Sequence, residues 1–181
     1  MYNAAVNNEL LANIVTNTNE NLYDLSHKKP ILLVFLRHLG CVFCKEALSE
    51  ISQKRESIEK KGVQIVFVHM AANDTAEEYF GRFNLLKLPH ISDPVGKIYK
   101  AFGITKGTPS QLYGLRTWFN GFNATVVKGH RPEYDPARLG DATQMPGLFL
   151  LSQGDIKQKY LHRYASEKPN YDQFIKCALA S

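Results

Sequence analysis

The hydrophobic positions of this chain change period as the sequence advances, and each change marks an element. Ile31 to Leu36 is an unbroken aliphatic and aromatic run, the signature of a strand buried on both faces. It stops at Arg37-His38-Leu39-Gly40. From Cys44 onward the apolar residues Ala47, Leu48 and Ile51 recur at offsets of three, four and seven, which predicts an amphipathic helix with Cys44 on its buried face. That helix runs to about Lys61, and Gly62 suits the position just past its end. Val63 to His69 is a second apolar, β-branched run, so strand, helix and strand predict a right-handed parallel crossover.

Further along, Thr75 to Phe83 reads as a helix with Asp74 or Thr75 as its cap and Glu77 and Glu78 in its first turn. Leu85 to Ile91 reads as an edge strand or extended connector, Asp93-Pro94 as a turn, and Val95 to Phe102 as a short helix closed by Gly103. An insertion over about residues 105–140 follows, with an amphipathic helix from Pro109 to about Phe122 and loops at Arg131-Pro132 and Asp135-Pro136. Leu148 to Leu161 forms a hairpin about Gln153-Gly154, and a last helix from Tyr171 to Ala180 places Phe174, Ile175 and Leu179 on one face. Before all of these, residues 1–30 predict a short helix and an edge strand. The expected class is α/β: a three-layer α/β/α sandwich on a mixed sheet, with a helical insertion before the final hairpin.

Length and composition narrow the picture. At 181 residues, 44% hydrophobic and 22% charged, the chain is expected to be one domain spanning 1–181, with a core large enough to need no disulfide staples. Its apolar runs are too short to span a bilayer, and the N-terminus lacks a basic segment followed by an apolar one, so a cytoplasmic location is expected. The net charge of +5 says less than its distribution. From Pro94 through Pro132 there is no Asp or Glu, while lysines and arginines alternate with Tyr99, Phe102, Tyr113, Trp118, Phe119 and Phe122. A solvated insertion face explains this stretch more simply than nucleic acid or membrane, since no nucleic-acid motif accompanies it.

The chemistry is concentrated at Arg37-His38-Leu39-Gly40-Cys41-Val42-Phe43-Cys44. Cys41 falls at the mouth of the predicted helix, where unpaired N–H groups and the positive end of the helix dipole favour a thiolate. Arg37 and His38 lie just upstream as additional positive charge. Cys44 falls one turn deeper, so Cys41 is expected to be the exposed nucleophile and Cys44 the resolving thiol. Two other readings remain open. A zinc knuckle needs two further ligands, and the sequence has only Cys177 and six scattered histidines, none in an H-x(3–5)-H pair. Two buried structural cysteines are also compatible with the composition. Cys177, in an apolar run of the last helix, is expected to pack.

With those residues in place, the chain resembles the peroxiredoxin-like branch of the AhpC/TSA family, thioredoxin-like proteins that carry C-x-x-C. The carriers are Phe35 to Cys44, Gly62 to Val68, Asp93-Pro94 with Tyr99 to Ile104, and Gly140 to Gly147. The resemblance implies a thiol oxidoreductase that cycles a Cys41–Cys44 dithiol and disulfide, reduces a peroxide or disulfide substrate, and is itself reduced by an external dithiol such as a thioredoxin or glutaredoxin. It implies no bound cofactor. A general disulfide reductase and a non-catalytic thioredoxin-fold binding module are the rival readings. By likeness to thioredoxins, Pro146 would be cis and would flank the thiols. In the register of ordinary peroxiredoxins, Cys44 takes the place of the peroxide-reactive cysteine, Cys41 that of its threonine or serine, Arg37 that of its proline, and Met145 that of its later arginine. The usual peroxide-polarising set is therefore absent. The same register names Cys44 as the attacking sulfur, against the depth argument that names Cys41.

Overall fold

The structure is a computed structural model that describes residues 6–113, 129 and 131–179. Its described strands are β1 (Ile31–Phe35), β2 (Gln64–His69), β3 (His90–Ser92), β4 (Gly147–Ser152) and β5 (Asp155–Leu161), forming one sheet in the order β3-β2-β1-β4-β5. β1 runs parallel to β2 and β2 to β3, while β4 is antiparallel to both β1 and β5. The sheet is therefore mixed, with β1 at its centre. Every residue of β1 is buried, as an uninterrupted apolar run requires.

Helices cover both faces. They are α1 (Asn8–Asn13), α2 (Leu22–Lys28), α3 (Val42–Lys60), α4 (Asn73–Gly81), α5 (Lys97–Ala101), α6 (Pro109–Tyr113), α7 (Pro136–Leu139) and α8 (Tyr171–Leu179). The alternation of a strand divides β1 between two cores. Leu32 and Val34 join Leu48 and Ile51 of α3, Tyr79 and Phe80 of α4, and Phe174 and Ile175 of α8. Ile31, Leu33 and Phe35 face the other way, toward Leu11, Leu22, Leu25, Tyr99 and Phe102. This is the three-layer α/β/α arrangement that the pattern predicts.

Several local expectations are corrected. Residues 22–28 form a helix, not an edge strand: Asn21 caps it by accepting the Asp24 N–H at 2.8 Å, and Leu22 and Leu25 are buried at helical spacing. Helix α4 starts earlier, with Ala72 as cap and no side-chain bond; the Asp74 carboxylate accepts the Thr75 N–H instead. Only His90 to Ser92 of the expected 85–91 segment is strand, because the Leu85 N–H turns back to the Phe80 carbonyl at 2.9 Å. The loop at Asp135-Pro136 contains a helical turn, with Asp135 capping Arg138 and Pro136 at its first position. In α8 the buried stripe is Tyr171, Phe174, Ile175 and Ala178, so Cys177 and Leu179 fall on its flank and are exposed. The expected packing of Cys177 is thereby overturned. Of the helix expected from Pro109 to Phe122, the structure describes Pro109–Tyr113; Trp118 lies outside the described residues.

The end of the insertion is stitched to the turn that follows β1. Leu39 N–H donates to the Leu139 carbonyl at 3.0 Å, and Glu133 N–H donates to the Gly40 carbonyl at 2.9 Å. Gly40 is required by this approach: a Cβ there would sit 2.0 Å from the Glu133 carbonyl oxygen. Gly40→Ala is expected to cost about 1–3 kcal/mol by forcing the two backbones apart, read as a lowered urea midpoint; an unchanged midpoint would show that the contact yields freely.

Where β2 ends and β3 begins, His69 and His90 are fully buried, with Nε2 of His69 2.9 Å from Nδ1 of His90. Burial, and then the neighbouring His90, push His69 down to about 3. Its folded pKa lies below the unfolded 6.5, so its contribution is complete above pH 6.5 and is lost as pH falls toward 3. Unfolding free energy should drop by up to about 1.4 kcal/mol per pH unit between pH 6 and 5 from this group, a window in which ordinary carboxylates stay charged. Urea titrations at these pH values should show at least that slope, and His69→Gln should lessen it, leaving the part due to the other lowered histidines, His90 and His162.

Candidate active site

Cys41 is the cap residue of α3 and Cys44 the third residue of that helix, directly after the central strand. The chain reaches this geometry because β1 ends at Phe35 and the 37–40 turn must reverse toward a helix whose first free N–H groups lie beside Cys41. Arg37, His38, Cys41 and Cys44 are brought together. All four are buried. Cys41 is 6% exposed and Cys44 4%, so the expected contrast between an exposed and a buried thiol is corrected: both are buried.

Charge distinguishes them instead. The Arg37 guanidinium donates from Nη1 to Cys41 Sγ at 3.2 Å, from Nε to the Gln144 carbonyl at 3.1 Å, and from Nη2 to the Ala142 carbonyl. The Arg37 backbone N–H donates to Cys44 Sγ at 3.1 Å. A hydrogen bond from the Cys44 thiol, assisted by His38 and by the Arg37 charge, holds Cys41 well below the ordinary thiol value despite burial. Burial, and then the adjacent Cys41, push Cys44 well above it. The arrangement favours a thiolate at Cys41 that accepts a hydrogen bond from a neutral Cys44 thiol.

Pro146 does reach the site, lining the same cavity as Cys44 and Arg37. The expectation that it is cis is corrected, since no peptide bond among the described residues is cis. Gln144 pairs with Lys106 in an antiparallel bridge, and Met145 N–H donates to the Thr105 carbonyl at 3.3 Å, so the chain enters β4 already extended and the cheaper trans bond suffices.

Residues that sequence reasoning did not single out complete the surroundings. Lys45, one position after Cys44, is buried and donates to the Arg131 carbonyl at 2.6 Å and to the Glu133 carboxylate at 2.5 Å; Tyr79 donates to the other Glu133 oxygen. Lys45 first, and then Tyr79, lower Glu133. Tyr99 donates to the carbonyls of Leu36 at 2.5 Å and Val68 at 3.0 Å, fixing the ends of β1 and β2 under Arg37. A cavity of about 40 Å³ opens beside Cys44, walled by Leu36, Phe43, Pro146, Leu148 and His162. No local pattern marks Lys45, Glu133 or His162, because their partners are distant in sequence. Among the described residues, no cluster of three or more His, Cys, Asp or Glu is placed to hold a metal ion.

A central parallel strand, a C-x-x-C pair capping the following helix and an antiparallel hairpin beyond it define a thioredoxin-fold protein. The AhpC/TSA antioxidant enzyme family matches residues 50–166, well over half of the chain, and the chain belongs to that family. The match begins after the cysteines. The thioredoxin-like protein AAED1 of Arabidopsis thaliana chloroplasts is 20% identical over 169 residues, covering 87% of this chain; the chain spans 65% of that relative's length. Among solved structures, peroxiredoxin 6 of Arenicola marina superposes with a TM-score of 0.64 at 10% identity, over 91% of this chain and 67% of that one. A protein of Chlorobium tepidum described as a thiol:disulfide interchange protein DsbE gives 0.57 at 17% identity, over 92% and 91%. No helix of the described residues is long and apolar enough to cross a membrane.

The thiolate assignment has a direct check. Alkylation of Cys41 by iodoacetamide should remain fast below neutral pH, because a lowered thiol pKa keeps the thiolate populated there. In Arg37→Gln the profile should move to higher pH, and a thiol pKa raised by about one would slow alkylation at pH 6 about tenfold. A profile unmoved by that substitution would remove Arg37 as the source of charge.

Proposed function

We propose that the chain is a thiol oxidoreductase of peroxiredoxin-like type in which Cys41 attacks and Cys44 resolves. The observation that carries this is the Arg37 guanidinium 3.2 Å from Cys41 Sγ, while burial pushes the neighbouring Cys44 thiol up. The Cys41 thiolate attacks one sulfur of a disulfide and expels a thiolate, or attacks an oxygen of a peroxide and expels alkoxide or hydroxide, leaving a sulfenic acid. Cys44 then attacks Cys41 Sγ, closing the Cys41–Cys44 disulfide and releasing a second thiol or water. An external dithiol, a thioredoxin or glutaredoxin, takes up the oxidising equivalents and restores both thiols. Family membership and the antioxidant description of that family support this reading, and the likeness to a thiol:disulfide interchange protein fits its disulfide branch.

One observation favours a second reading with the roles reversed. The cavity beside the site is lined by Cys44 and not by Cys41, which gives a small peroxide a route to Cys44. Serine variants separate the two. Cys44→Ser should retain the fast-reacting thiol and accumulate a mixed disulfide or sulfenic acid at Cys41, identified by mass spectrometry after a dimedone trap. The same adduct at Cys44 in Cys41→Ser, formed faster, would reverse the assignment. A wild-type protein that keeps both thiols after peroxide and after a small disulfide would be a binding module instead.

A further inference from the structure

His162 lies just past the end of β5 and lines the cavity that Cys44 also lines. Its Nδ1 is buried and has no hydrogen-bond partner. Among the described residues one other buried side-chain nitrogen shares that condition, His90 Nε2, and it still faces the Glu77 carboxylate at 3.5 Å. His162 is bonded to the Pro146 carbonyl. In the tautomer with the proton on Nε2, Nδ1 presents a lone pair. An orphaned buried acceptor calls for an explanation, and the cavity has room for a bridging water.

Resting on the reading in which Cys41 attacks first, we propose that His162 Nδ1, through a water in this cavity, accepts the Cys44 proton during the resolving step. In the reduced protein the Cys44 thiol donates its hydrogen bond to the Cys41 thiolate. Once Cys41 is bonded to a substrate sulfur, that acceptor is gone, and a buried neutral thiol is a poor nucleophile. Cys44 then attacks Cys41 Sγ; the new sulfur–sulfur bond forms as the bond from Cys41 to the substrate sulfur breaks. The proton passes by way of water to His162, and from there to the departing thiolate, so the step releases a neutral thiol. Burial pushes His162 down to about 4, so the ring is uncharged at neutral pH and carries the proton only in passing, on its way to the departing thiolate. The charged groups that share this cavity are Glu46 and Glu50 of α3, Glu167 and Lys168 beyond β5, and Arg37. Lys168 pairs with Glu46 at 2.7 Å, and Glu167 accepts the Arg163 N–H at 2.7 Å; the Glu167 charge favours the protonated ring as it forms.

His162 is thus a positioning residue for the second chemical step and not the first. The test is a stopped-flow reaction of the reduced protein with 2,2′-dithiodipyridine, which releases one pyridinethione when Cys41 attacks and a second when Cys44 resolves. His162→Gln keeps a donor for the Pro146 carbonyl and removes the Nδ1 lone pair; His162→Phe removes both. The first release should be unchanged in both variants, and the second should slow by about tenfold or more at pH 7. It should also become proportional to hydroxide concentration, where the wild type is flatter with pH. Both releases slowing in parallel, or an unchanged second release, would overturn the inference. A wild type that releases a single equivalent would overturn the underlying reading along with it.

Discussion

A guanidinium buried after the central strand needs partners on every side, and much of the site follows from how Arg37 finds them. Its charge is met by the Cys41 sulfur, and its remaining donors by the carbonyls of Ala142 and Gln144. Without an anion, a cation at this depth would be strongly disfavoured, so the thiolate and the guanidinium stabilise one another. The same side chain ties the helix mouth to the segment that leads into β4, which is more than a hundred residues away in sequence. Chemistry and architecture therefore share one contact.

The second constraint is backbone proximity. The return of the insertion passes against Gly40 closely enough that no side chain fits there, and Lys45 with Glu133 and Tyr79 locks that path in place. Cys41, next in the chain to Gly40, is buried, whereas a helix mouth by itself would leave it open to solvent. Exclusion of water strengthens the electrostatic influence of Arg37 and His38 on the sulfur. It also means that two thiols of nearly equal burial differ in protonation only because of what surrounds them: Cys41 receives donors, whereas Cys44 mainly loses solvation.

Membership of the AhpC/TSA family and the fold likenesses describe the scaffold, while the site departs from the ordinary peroxiredoxin pattern at several positions. Arg37 precedes the cysteines where the peroxiredoxin register has a proline, yet it points into the site and donates to Cys41. An arginine entering from the first strand can thus supply the positive charge that the ordinary pattern draws from the strand near Met145. The charge has moved from the Met145 position to Arg37, and the sulfur still has a cationic neighbour.

What was legible in the sequence is what depends on local period and local chemistry. The all-apolar β1, the offsets of Ala47, Leu48 and Ile51 from Cys44, and the glycines at 62 and 154 are enough to place the strand, the helix, and the turns, because each is decided by neighbours within a few residues. The nearness of Arg37 and His38 to the cysteines was legible too, but the aim of Arg37 at Cys41 depends on the distant carbonyls of Ala142 and Gln144. The helix at 22–28 and the exposed flank of α8 were misread where a short apolar pattern fits two structures and only packing chooses between them. The burial of Cys41, the trans bond before Pro146, the Glu133 latch and the place of His162 beside Cys44 were decided by tertiary structure alone. Each depends on segments far apart in the chain meeting at one end of the sheet, and no periodicity in a single segment carries the identity of its distant partner.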